Sequence, residues 1–192
     1  MTGPRTVVLN ASPRPAGNCM ALVGAMTEEL GGAVSVVNLY ERRVAPCRAC
    51  LACDAGGMCP IIDDMPGIVR RLGEAHFLIM ASPLHFTSLT APLVAFISRL
   101  QPVWRRTSRG GIGLLPAGDR LGALVVTAGS RYPGMFGPAR AVAMAAFNSL
   151  SIHCAGIVEV ADTDRIPAVE NAGAMAEAKR LAANMLERAG KE

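Results

Sequence analysis

The sequence holds no apolar run long enough to cross a bilayer, and residues 1–20 lack the basic, apolar and small-residue order of a secretory signal. Both absences predict a cytoplasmic chain without membrane contact. Lysine is nearly missing, 2 against 17 Arg, and the aromatics are one Trp, two Tyr and five Phe. Surfaces that grip nucleic acid cluster cations among stacking rings. No such run occurs, so the net charge of +4 points to no nucleic-acid partner. A dinucleotide fingerprint is missing as well. Gly111-Ile112-Gly113 runs into Leu114-Leu115-Pro116 with no strand before it, which removes the context that motif needs. Neither a Ser-His-Asp arrangement nor a catalytic carboxylate pair stands out, so no side chain is expected to act as a catalytic acid, base or nucleophile.

What is present is a steady alternation of strand and helix patterns, which in 192 residues fits one α/β domain spanning 1–192. Strands are expected near 5–10, 33–39, 76–81, 121–127 and 152–160. Helices are expected near 18–31, 64–73, 89–100, 137–150 and 168–189. Leu22, Val23, Met26 and Leu30 form an apolar stripe on the first helix. Val69 and Leu72 give the second an apolar edge, with Asp63 or Asp64 as its cap. Leu93, Phe96, Ile97 and Leu100 do the same for the third, and Met175, Ala178, Ala182, Met185 and Leu186 for the last. Phe77-Leu78-Ile79-Met80 is continuously apolar, as a central strand covered on both faces should be. Five strands with crossover helices predict a doubly wound parallel sheet of order 2-1-3-4-5. Ligands would then sit at the carboxyl ends of the strands, near the switch between the first and third. The connections 40–63 and 101–120 are long enough to be functional or mobile.

The first strand breaks into Asn10-Ala11-Ser12-Pro13-Arg14-Pro15-Ala16-Gly17-Asn18-Cys19 before the first helix opens. Amides of such a loop and the helix dipole converge on one point and favour an anion. Ser12 and Asn18 can add donors, Arg14 a phosphate-matching fork, and Gly17 close backbone approach. The plainer alternative is an ordinary turn with Asn18 as N-cap.

Six cysteines in a cytoplasmic chain do not suggest a disulfide framework. Cys47, Cys50, Cys53 and Cys59 fall in the pattern C-x2-C-x2-C-x5-C, which gathers four thiolates compactly enough for a [4Fe–4S] cluster. Gly56 and Gly57 would let Cys59 turn back onto the same cluster, and Arg42, Arg43 and Arg48 would offset its charge. A bare thiol loop and a zinc site stay open as alternatives; zinc more often uses two separated pairs. Cys154 and His153 read as core residues of the last strand.

The strings NASPRPAGN, PCRACLACDAGGMCPIIDDM and ASPLHFTSLTAPLVAFISRL together resemble the flavodoxin-like family of NADPH-dependent FMN reductases and iron–sulfur flavoproteins, over roughly the first 130 residues. The resemblance implies FMN with its phosphate at Ser12, Arg14, Gly17, Asn18 and Cys19. It places the flavin ring against Pro83, Leu84, His85, Phe86 and Ser88 after the third strand, and Thr127, Ala128, Gly129 and Ser130 after the fourth. His85 stands where the family usually has Tyr, Val94 and Ser98 where it has Lys and Asp, and His76 where an acidic residue is common. Ala91, Phe96 and Arg99 keep the family pattern. Arg131 is a candidate for the pyrimidine end of the flavin, where a positive charge would favour its reduced form. The implied function is an FMN-dependent oxidoreductase passing electrons between FMN, a [4Fe–4S] cluster on the four cysteines, and a small acceptor or a ferredoxin-like protein, with NAD(P)H as a transient donor. A homodimer or homotetramer is implied too. A cluster-free NAD(P)H-dependent FMN or quinone reductase is the alternative enzyme, and a redox sensor or electron carrier the non-enzymatic one.

Overall fold

The computed structural model describes residues 3–54, 59–108 and 120–190, apart from the side chains of 106–108. Five parallel strands, β1 (Arg5–Asn10), β2 (Ala33–Asn38), β3 (Phe77–Pro83), β4 (Leu121–Thr127) and β5 (His153–Val160), form one sheet of order β2-β1-β3-β4-β5. The sequence expectation of a flavodoxin-like doubly wound sheet holds. Consecutive side chains of a strand face opposite sides, so each strand serves two cores. Val7, Leu9, Leu78, Met80, Leu124 and Val126 face α2 (Met65–Gly73), α3 (Ala91–Ser98) and α5 (Gly137–Ser149). Val8, Phe77, Ile79, Ala123, Val125 and Val158 face α1 (Asn18–Leu30) and α6 (Ala172–Ala189). β3 is buried along Phe77–Met80 as a strand with helices on both faces should be. Gly122 belongs to the packing: a Cβ there would lie 2.4 Å from the Phe147 ring of α5.

The helix expected over 89–100 ends early, and a further helix, α4 (Gln101–Ser108), follows where a loop was expected. Pro102 is the cause, because it has no N–H to continue the ladder and suits the first turn of a new helix. The Arg99 and Leu100 amides bond back only three residues, to the Phe96 and Ile97 carbonyls (3.0 Å each). Trp104 then starts the new ladder on the Leu100 carbonyl (2.9 Å). The rest of that connection, 109–119, lies outside the described residues, as does the Gly111-Ile112-Gly113 stretch. The last helix begins late as well. Residues Ala168–Glu170 form a short 3-10 turn, and Asn171 starts α6 by accepting from the Ala174 amide (3.0 Å). His153 is exposed at the start of β5, not a core residue, because β5 is an edge strand. Cys154 is half-buried against the first core.

Candidate functional site

The carboxyl ends of β1, β3 and β4 meet around one cleft. β1 is carried past its last pair by the Ala11 amide, which donates to the Ala81 carbonyl (2.8 Å). The Asn10 side chain then accepts from the Ser12 amide (2.9 Å). Ser12 turns the chain: its hydroxyl donates to the Arg14 carbonyl (3.0 Å) and accepts from the Arg14 amide (3.2 Å). The Gly17 amide also donates to the Arg14 carbonyl (3.1 Å), closing a tight loop. A Cβ on Gly17 would sit 3.0 Å from the Arg14 Cβ, closer than side chains normally pack. Gly17, not Asn18, is the N-cap of α1. The first helical bond is Ala21 to the Gly17 carbonyl (3.1 Å), so the amides of Asn18, Cys19 and Met20 precede the ladder and point out of the helix start. Asn18 instead uses its side-chain oxygen to accept from the Ala168 amide (2.8 Å), tying the loop after β5 to the helix. Arg14 is exposed, and its guanidinium bonds to no other described residue.

The Cys19 side chain is taken up by the sheet. Its Sγ lies 3.1 Å from the Thr127 Oγ1 at the end of β4, and burial pushes its pKa from 9.0 to about 11, with Thr127 pulling weakly the other way. The thiol is therefore a neutral link between helix and sheet.

The loop after β3 is held at both ends. The Leu84 amide donates to the Thr127 carbonyl (2.7 Å), and the Thr90 hydroxyl donates to the Ala11 carbonyl (2.7 Å). Between them His85 and Ser88 exchange two backbone bonds of 3.0 Å across a two-residue turn. Both turn residues, Phe86 (φ 50°) and Thr87 (φ 64°), sit in the left-handed region that bulky and β-branched residues avoid. Phe86 is thrown fully into solvent, off the cleft.

The segment after β5 completes the cleft. The Thr163 amide and hydroxyl both donate to the Ala128 carbonyl (3.0 Å each), and the Asp164 amide donates to the Gly129 carbonyl (3.3 Å). A Cβ on Gly129 would lie 2.3 Å from the Asp164 Oδ2, so only glycine leaves room for that carboxylate.

The resulting cleft of about 190 Å³ brings together Ser12, Arg14, Gly17, Asn18 and Cys19 with Pro83, Leu84, His85, Thr127 and Gly129. Phe86, Ser88, Ala128 and Ser130 are not in its lining. Ala128 is buried beneath it and Phe86 points away. Arg131 is diverted into an ion pair with Asp162 (2.7 Å). Thr163 and Asp164 line the cleft and were missed from the sequence. Their signal was a polar Asp-Thr-Asp run directly after an apolar strand, at the sheet edge where ligands gather.

A second cavity lies in the loop between β2 and α2. Its base is laced by acids: Asp64 accepts from the Arg43 amide (2.8 Å) and Asp63 from the amides of Ala45 (3.0 Å) and Met65 (3.1 Å). Asp64 is the N-cap of α2, one of the two caps expected, though its side chain turns to Arg43 and it is Asp63 that takes the first helical amide. Arg99, only 3% exposed, clamps the base from α3: Nη1 donates to the Ala45 carbonyl (2.9 Å) and pairs with Asp63 (2.5 Å). Burial alone would raise the Asp63 pKa, but the Arg99 bond and the two amides hold it below the ordinary carboxylate range. Ser98 accepts from the Cys47 amide (3.0 Å). From this base the chain makes two left-handed steps, Ala49 (φ 52°) and Leu51 (φ 59°). Such alternation turns amides inward as an anion-binding nest. Accordingly the Ala49 amide donates to the Cys47 Sγ (3.4 Å), and the Ala52 amide, then Arg48, draw the Cys50 pKa down.

All four cysteines, 47, 50, 53 and 59, line this one cavity of about 240 Å³, with Arg99 and Arg105 in its wall. Burial alone would lower the Arg99 pKa, but Asp63 and, after it, Cys59 in the same wall raise it. Among the described residues, no three His, Cys, Asp or Glu side chains stand close enough to hold one metal ion. Gly56 and Gly57, expected to fold Cys59 back, lie outside the described residues. No helix of the described residues is long and apolar enough to cross a membrane.

Comparison with known proteins agrees with this geometry. An iron–sulfur flavoprotein of Methanocaldococcus jannaschii is 34% identical over 103 residues, 52% of this chain and 53% of that protein. An iron–sulfur flavoprotein of Archaeoglobus fulgidus is 32% identical over 133 residues, 67% of this chain and 57% of that one. The match thus spans little more than half the length of either relative. Among solved structures, the NAD(P)H:quinone oxidoreductase from Methanothermobacter marburgensis shares the fold with a TM-score of 0.73 at 18% identity, covering 95% of this chain and 96% of the other. The sequence profile described as NADPH-dependent FMN reductase matches residues 4–161, all five strands, the cysteine cavity and the cleft apart from Thr163 and Asp164, and the chain belongs to that family.

Proposed function

We propose that the chain is an FMN-dependent oxidoreductase of the iron–sulfur flavoprotein kind, a single FMN-binding domain carrying a cluster in its cysteine loop. The observation that carries the reading is that four thiols line one cavity while the carboxyl ends of the strands form a separate cleft with free helix-start amides. When bound, FMN supplies one- and two-electron redox chemistry and a [4Fe–4S] cluster supplies single-electron transfer. The chain's own part is to bind and orient. Ser12, Arg14 and the first amides of α1 would hold the phosphate. Pro83, Leu84, His85, Thr127 and Gly129 would flank the ring, and the Leu84–Thr127 bond fixes the two loops against each other. Cys47, Cys50, Cys53 and Cys59 would ligate the cluster.

The donor set fits that group. One tetrahedral zinc would draw its sulfurs to about 3.8 Å of one another, given Zn–S near 2.3 Å. Here all four cysteines line one cavity, and the Ala49 amide on Cys47 with Arg48 beside Cys50 would offset the negative charge such a body carries. NAD(P)H as donor, and a small molecule or ferredoxin-like protein as acceptor, complete the reading. Anaerobic turnover assays with NADPH, NADH and a reduced ferredoxin, against quinone, free FMN and protein acceptors, test it. Flavin reduction by at least one donor with electrons passed onward supports an enzyme. Reduction without turnover on any acceptor contradicts it in favour of a sensor or carrier.

A further inference from the structure

The first loop offers the cleft donors: the amides of the α1 start and the Arg14 guanidinium. Asp164 offers the opposite. A carboxylate only accepts hydrogen bonds, and Asp164 is the one acidic side chain among the described residues of the cleft wall. Its place is built into the backbone. The Thr163 and Asp164 amides continue the pairing of β5 onto the residues after β4, and the Thr163 hydroxyl doubles the first of those bonds. Gly129 leaves the space the carboxylate occupies, 2.3 Å from where a Cβ would stand. The neighbouring Asp162 is spent on Arg131 at 2.7 Å, whereas Asp164 makes no side-chain bond to another described residue.

Acceptor groups of a flavin, its phosphate and its pyrimidine carbonyls, would be repelled by such a carboxylate. Donor groups, the ribityl hydroxyls and the N3–H, would be held. We infer that Asp164 is a specificity residue of the cleft, accepting a hydrogen bond from an O–H or N–H donor of the bound flavin. This rests on the FMN reading and adds to it a residue outside the family's loop motifs.

The test is flavin titration of the full chain, stripped of its native flavin, as parent, Asp164→Asn and Asp164→Ala. FMN, riboflavin, 3-methyl-FMN and lumiflavin (which lacks the ribityl hydroxyls) are the probes. Asp164→Ala should weaken FMN and riboflavin by the same factor, about tenfold or more for a bond to a charged group. Asp164→Asn, which keeps an acceptor oxygen, should fall between. If the penalty vanishes with lumiflavin the donor is a hydroxyl; if it vanishes with 3-methyl-FMN the donor is N3–H. Either result bears the inference out. Unchanged affinities in both variants overturn it, as does FMN binding tighter in Asp164→Asn while riboflavin stays constant, the sign of mere phosphate repulsion. A parent that takes up none of the four flavins overturns the FMN reading itself, and this inference with it.

Discussion

His85 lines the cleft from a backbone fixed on both sides, by the Leu84–Thr127 bond before it and the reciprocal His85–Ser88 bonds after it. Replacing it by the family's usual Tyr should therefore change what touches the flavin without moving the loop. His85→Tyr is expected to shift the flavin's visible spectrum and midpoint potential, and titration against reference dyes will read both. The Arg14 guanidinium bonds to no other described residue, so its truncation leaves no buried partner behind. Arg14→Ala should weaken FMN by about 1.5–3 kcal/mol, the range for a hydrogen bond to a charged group, and leave riboflavin unaffected. Cys19 gives a pH signature. Its thiol is neutral when folded up to about 11, whereas an ordinary thiol ionises near 9.0. A raised folded pKa contributes stability that is fully present below the lower value and lost as pH climbs through the upper one. Urea midpoints of the parent should drop between about pH 9 and 11 more steeply than those of Cys19→Ala. At this scale the sequence was legible where small and turn-forming residues follow a buried strand, which is why Ser12, Gly17 and Pro83 were found. Arg131 lies as a surface arginine, taking the carboxylate the fold delivers, here Asp162 from a different strand end.

At the scale of elements, the cysteine loop depends on α3 more than on its own sequence. Ser98 holds the Cys47 amide, and Arg99 holds the Ala45 carbonyl and Asp63. Spacing alone revealed the four thiols, since short gaps force proximity in any fold. What spacing could not reveal is that residues 98 and 99, some fifty positions on, close the base of the loop. Removing one partner of a buried pair leaves the other charge uncompensated, at a cost of about 3–5 kcal/mol. Arg99→Ala is expected to lower unfolding stability by that order and to abolish iron uptake. Ser98→Ala, losing one bond to an exposed amide, should change both only slightly. Equilibrium urea unfolding and iron content after anaerobic reconstitution check the pair. The break between α3 and α4 has a similarly local cause in Pro102, but an apolar stripe running through Leu100 masked it.

For the whole molecule, order and layering followed from two periodicities. Alternation along β1, β3 and β4 feeds two cores, and helical stripes on α1, α3 and α6 cover them. Because the sheet order reverses between β1 and β3, the carboxyl ends of β1, β3 and β4 open one crevice, and the loops that follow those three strands converge there. Asp164 escaped notice because its role arises from the β4–β5 pairing, a contact of the assembled sheet with no motif of its own. The proposed function joins two cavities in one electron-transfer protein, and metal and flavin analysis of anaerobically reconstituted protein tests that most directly. It predicts one FMN and about four irons with matching sulfide per chain, the count of a Cys₄ cubane. It also predicts that changing any one of Cys47, Cys50, Cys53 and Cys59 to Ala loses most of the iron while the flavin stays. A chain that binds FMN but, after strict anaerobic reconstitution, carries no stoichiometric iron and four freely alkylated thiols in that loop would contradict it.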